Sequence, residues 1–145
     1  MANSTNPSNL IDNIFESVKN PLAVLARILL ALMFVLAGFD KLTHFEGTVG
    51  FIGSAGLPVP EVLAAITLTV EIVGGLALIT GIQARLAGFV LAGFTLLASI
   101  TFHNFWAVPA DQAYVQQLLF MKNISVAGGL LLVAALGSGQ WKLGK

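Results

Sequence analysis

The chain has 145 residues, of which 57% are hydrophobic and 10% charged, with a formal net charge of zero. That length suits one domain, the low charge content sets it apart from soluble domains, and the neutral balance gives no electrostatic case for nucleic acid. The absence of cysteine excludes disulfides, thiolate metal sites and c-type haem attachment.

Several apolar runs reach the ~18 residues that mark a membrane span. The expected fold is an all-α membrane protein, a four-transmembrane-helix bundle with spans over 21–42, 60–80, 85–106 and 114–136. Residues 1–20 read as a polar, interfacial segment, with Ile11, Ile14, Phe15 and Val18 at the spacing of a short surface helix. The apolar run that follows is too long for a signal-peptide core and lacks a small-residue cleavage site. Asn20 as cap and Pro21 at the first helical position predict where the first span begins. Arg27, Ala31, Phe34, Gly38 and Lys41 fall on one face of it. The connection 43–60 is glycine-rich and closes in Leu57-Pro58-Val59-Pro60, with Phe45, Val49 and Ile52 on one side of a short helix, a pattern more suited to a lid than a tether.

The second span carries Glu71 near its middle, with Thr67, Gly74 and Gly75 on the same face. A lone carboxylate at that depth is expensive unless it faces protein, and small residues around it admit a neighbouring helix. Gly81 ends this span, and the short turn that follows makes the third span its antiparallel neighbour. Gly88, Ala92, Thr95, Ser99 and His103 share a face of the third span, and Lys122, Ser125 and Gly129 are expected to share the inner face of the fourth. Residues 138–145 form a tail. Val35-Leu-Ala-Gly-Phe39 recurs as Val90-Leu-Ala-Gly-Phe94, an echo that suggests two related helical hairpins. Basic residues collect on one side, at Lys19, Arg85, Lys142 and Lys145, which predicts that both termini are cytoplasmic.

Counting ~1.5 Å of rise per residue places Glu71 ~16 Å below the outer end of its helix, Lys122 ~10 Å below the outer surface and Arg27 ~21 Å below Lys41. Glu71 is therefore expected to pair with Lys122 or Arg27, with Lys122 preferred. Asp40, Lys41, His103 and Asn104 would form a shallower polar layer, and Asn123 is counted in the same cluster. No metal is expected, and His44 lies in a loop where it makes a poor haem partner for His103. Two readings of the cluster stay open: an ion-pair network that fixes helix register, or a functional site.

These residues carry a resemblance. Arg27, Ala37-Gly38-Phe-Asp-Lys41-Leu42, Gly56-Leu-Pro58, Glu71-Ile-Val-Gly-Gly75-Leu, Gly81 with Arg85, Phe102-His103 and Lys122-Asn123 stand in the order and spacing of the DoxX family, which the chain resembles from Arg27 to Gly137. Ala31 departs from it, standing where the family's first helix has glycine. The resemblance implies a small bacterial inner-membrane protein of four helices. It also implies an accessory subunit of a quinone-linked oxidoreductase or membrane redox complex. On that reading the cluster of Glu71, Lys122, Asn123, His103, Lys41 and Arg27 is the expected site of a bound quinone, with no covalent cofactor, and the expected partners are the bilayer, a redox protein and other copies of the chain in a homo-oligomer. The alternatives are a non-catalytic membrane anchor and a small oligomeric transporter.

Overall fold

The computed structural model describes residues 7–143, with side chains from Leu10 onward. Five helices follow in order: α1 (Pro7–Thr43), α2 (Phe45–Ser54), α3 (Pro60–Thr80), α4 (Ala84–Phe102) and α5 (Ala110–Leu136), with no strand among the described residues. Four of them, all but α2, are long and apolar enough to cross a membrane. Large apolar side chains on the outside, such as Leu36, Phe89, Leu97 and Leu132, are more than 60% exposed, which suits a surface solvated by lipid.

The boundaries differ from expectation in two places. α1 does not start at Pro21 but runs through it as one helix of 37 residues. Proline removes one ladder bond, yet the apolar stripe on either side keeps helical spacing and the helix continues. At ~1.5 Å per residue it is ~55 Å long, so its first turns extend past a ~30 Å hydrocarbon core. Ile11, Ile14 and Phe15 are exposed there. The third span closes at Phe102 with His103 as its cap, and the next starts at Ala110. Trp106 thus lies in the connection, where it meets Phe105 and Phe120 edge-to-face with ring centroids 5.0 and 5.6 Å away. Met1–Asn6, Gly144 and Lys145 lie outside the described residues.

The helices pack as two antiparallel pairs, α1 with α3 and α4 with α5, joined through α3 and α4. Glycine sets how closely each pair approaches. A Cβ on Gly75 would stand 2.7 Å from Val35 Cγ2 and 3.4 Å from the Ala31 carbonyl. A Cβ on Gly88 would stand 2.7 Å from the Leu130 carbonyl oxygen. Ala31 is fully buried, and Gly75 lies against its carbonyl. Leu78, Leu91 and Leu130 are completely enclosed between the pairs. α1 and α5 barely touch, which leaves a groove between them.

At one end of the bundle α2 folds back over α3 and α4. Ile52 is buried beneath it, and Phe51 stacks on Phe102 with centroids 5.0 Å apart. Val59, between two prolines, holds the left-handed region at φ 46°, a costly conformation for a β-branched residue at the junction of this cover with α3. At the opposite end the segment after α5 straps across the bundle. Leu143 N–H donates to the Thr80 carbonyl at 2.8 Å, and Asn20 exchanges hydrogen bonds with Gln140 at 3.2 and 3.3 Å. Residues flanking the first and last spans therefore meet on one side.

Candidate functional site

Glu71 is buried on the face of α3 that meets α1, as the small residues around it predict. Its partner is Lys41. The ammonium lies 3.0 Å from Oε1, to which it donates a hydrogen bond, and 2.9 Å from Oε2 at a poorer angle. Oε2 is buried, with the same ammonium as its nearest polar neighbour. Lys41 leans back along α1 toward the Ala37 carbonyl, 3.5 Å away, as helical side chains do. Its height on α1 is above that of Glu71, but its charge comes down to the carboxylate. A Cβ on Gly38 would stand 3.3 Å from Glu71 Cβ, so helix contact there brings the two charges within reach.

The pair forms one end of a partly open cavity of about 320 Å³ bounded by α2, α3 and α4. Its walls are apolar, drawn from Leu63, Phe94, Ala98 and the Phe51–Phe102 stack, and Leu97 on its margin is open to the lipid side. His103 contributes a second polar group. Its Nδ1 lies 2.9 Å from Gln116 Oε1; with that amide oxygen as acceptor, Nδ1 carries the proton and Nε2 is the ring's free acceptor. Four groups thus converge on one space: an ammonium, the carboxylate it pairs with, an imidazole and an apolar wall.

The other expected members lie elsewhere. Lys122 is exposed and does not meet Glu71. Asn123, Ala127, Leu130 and Val133 form the buried face of α5, and Lys122, one residue out of phase, turns ~100° away toward the gap beside α1. Ser125 is exposed with it. Asn123 is buried at the α4–α5 contact, away from the cavity wall. Arg27 is only 2% exposed but sits at the far end of the bundle, where Nη2 donates to the Trp141 carbonyl at 2.7 Å. It packs against Gly81, ten residues of helix or ~15 Å from Glu71, too far for an ion pair. Asp40 points outward and meets His44 at 3.1 Å, and Asn104 is half-buried outside the cavity. Phe51 and Gln116 were not anticipated, and Phe102 was marked only as part of the Phe102-His103 pair. The signal for Phe102 was its place one residue before His103; nothing in the sequence singled out Gln116.

The DoxX family model matches residues 22–104. The inner membrane protein YphA of Escherichia coli is 31% identical over 89% of this chain and 92% of its own length. The inner membrane protein YqjF of the same organism is 36% identical over 83% and 87%. The chain belongs to the DoxX family. CatD of Bacillus subtilis, whose name assigns it provisionally to the oxidoreductases, is 31% identical over 72% of the chain and 75% of its own length. No solved structure matches. The matched region of this DoxX chain contains Lys41, Glu71, Phe102 and His103, so the whole polar lining of the cavity lies within it. Lys122 and Asn123 fall beyond it.

Proposed function

We propose that this DoxX protein is an accessory subunit of a quinone-linked oxidoreductase in the bacterial inner membrane and that its α2–α3–α4 cavity takes the quinone headgroup. The observation that carries the reading is the coexistence, in one apolar space, of the Lys41–Glu71 ion pair and the His103 imidazole. The residues fit the group. Lys41 can donate to a ring carbonyl while keeping Glu71 Oε1, and Oε2 can accept from a ring hydroxyl. Glu71 and His103 can each hold or pass a proton, and α2 excludes water from above. A quinone supplies a two-electron, two-proton carrier that is soluble in lipid. The opening at Leu97 faces the phase from which such a molecule arrives, and its tail would stay there. The chain has no cysteine, so any thiolate-bound redox centre would belong to the partner. The name of CatD supports an oxidoreductase setting.

The test is a melting curve of the purified protein with short-chain benzoquinones and naphthoquinones. At ~100 times its dissociation constant a ligand adds about 2.7 kcal/mol, a shift of several degrees. That shift should shrink in Lys41→Met and His103→Ala, each read against its own unliganded melt, and persist in Lys122→Met. If neither quinone class moves the melt and none co-purifies, the protein is a membrane anchor whose Lys41–Glu71 pair fixes helix register.

A further inference from the structure

The end of the bundle opposite the cavity holds a charge that the quinone reading does not use. Arg27 is buried, and only one of its nitrogens has an acceptor; Nε and Nη1 have none. The one bond it makes is to a neutral carbonyl, that of Trp141. Among the described residues no carboxylate compensates it: the acids on this side are Asp12 and Glu16, and Glu16 pairs with Lys19 on the exposed stretch of α1. A buried cation without an anion is among the costlier arrangements in a protein.

Arg27 borders the groove that α1 and α5 leave between them, with Nε and Nη1 enclosed and Nη1 turned toward Gly81. The groove has a volume of about 560 Å³, and its mouth is lined by Lys19, Asn20 and Gln140. From there it runs along Ala26, Leu30 and Gly129, an apolar floor kept open by the small residues Ala26 and Gly129. Its depth in the membrane can be placed. α3 has 21 residues, which at ~1.5 Å each just cover the ~30 Å hydrocarbon core. Gly81 therefore lies at the headgroup boundary, and Arg27 packs against Gly81. From Leu136 to Gly129 the groove continues ~10 Å into the hydrocarbon.

We propose that this groove holds one phospholipid, with an acyl chain along Ala26, Leu30 and Gly129 and its phosphate drawn to Arg27 and Lys19. An anionic lipid fits best, because Lys19, Arg27, Arg85 and Lys142 gather at this end against two described acids, Asp12 and Glu16, of which Glu16 pairs with the exposed Lys19 at the groove mouth. A second copy of the chain fits worse: placed side by side in the same orientation, it would bring the same cations to the same depth. A quinone brings no anion. The lipid would also close the gap that α1 and α5 leave open, so it acts as a packing element of the fold.

Native mass spectrometry of the full chain in mild detergent tests this. The probes are phosphatidylglycerol and phosphatidylcholine with the same acyl chains, and inorganic phosphate alone. The expected result is one retained phosphatidylglycerol per chain, weaker retention of phosphatidylcholine and no phosphate adduct. Arg27→Gln and Lys19→Ala should each weaken phosphatidylglycerol retention by about fivefold, the effect of one basic group near a membrane surface. Ala26→Phe, at an exposed position on the groove wall, should block both lipids without disturbing the core. Should Arg27→Gln fail to fold, Lys19→Ala and Ala26→Phe still decide the matter. Equal retention of the two lipids, or retention unchanged in these variants, overturns the proposal. So does a phosphate adduct as strong as the lipid's, which would mark a free-anion site, or a dimer in place of the lipid adduct.

Discussion

Lys41 reaches Glu71 by leaning one turn back along its own helix, so that Nζ sits 3.0 Å from Oε1 although its backbone lies nearer the end of α1. Removing either partner leaves the other charge with nothing to pair with. For enclosed pairs that costs ~3–5 kcal/mol, and the 25% exposure of the lysine side chain lowers the figure here to about 2–4 kcal/mol. Glu71→Gln and Lys41→Met should each lower the detergent-state melt, and the double variant should recover at least half of the summed loss. Simple addition of the two losses would mean the residues are not coupled. Lys122→Met should stay within about 0.5 kcal/mol of wild type.

Gly88 and Gly93 share a helix and should respond to alanine in opposite ways. A Cβ at Gly88 meets the Leu130 carbonyl oxygen at 2.7 Å and the Ala134 nitrogen at 3.1 Å, both backbone atoms that cannot rotate aside. Gly88→Ala should cost about 1–3 kcal/mol by forcing α4 from α5. At Gly93 the methyl meets nothing within 4 Å, and the helix gains rigidity. Gly93→Ala should be neutral or stabilising by up to about 1 kcal/mol. Thermal melts of the two variants side by side are the check.

The Phe51–Phe102 stack should hold α2 over the cavity. Such pairs contribute about 0.5–1.5 kcal/mol beyond their buried area. Phe51 is 60% exposed, so Phe51→Ala should loosen the cover while sparing the core. Hydrogen exchange should rise across residues 45–56 and remain slow in the middle of α3 and α4. Unchanged exchange in α2 would show that Ile52 and the backbone suffice to hold it.

Orientation follows from the basic residues near the span ends. Lys19, Arg85 and Lys142 lie on the side where the strap crosses, and Lys41 lies toward the other. Both termini should face the cytoplasm. A cysteine placed in the α2 connection should be labelled by an impermeant reagent in intact cells, and one placed after Gly137 should not. The reverse pattern would invert the assignment.

The sequence disclosed the spans because hydrophobic length needs no tertiary information, and it disclosed the faces of α1, α3 and α4 because small residues there recur at helical spacing. Glu71 was recognisable because a carboxylate amid apolar residues has few places to go. Its partner was not. Rise per residue gives the height of a Cα, but Lys41 carries its charge down toward Ala37, and that reach decided the pairing. Lys122 misled for a related reason. Polar and small residues at 122, 125 and 129 mimic an inner stripe, whereas they look onto a gap that α1 does not fill, and the buried stripe starts one residue later at Asn123. Pro21 offered a start signal that α1 overrides.

The strap across the bundle also has a consequence in time. Arg27 lies in the first span, and the carbonyl that receives its hydrogen bond, on Trp141, is 114 residues further along the chain. At about 5–20 residues per second, roughly 6 to 23 s of synthesis separate the two. During that interval three further spans must enter the membrane while the guanidinium stands at the boundary with only water, lipid headgroups or the insertion machinery to meet it. The first helix is thus finished last.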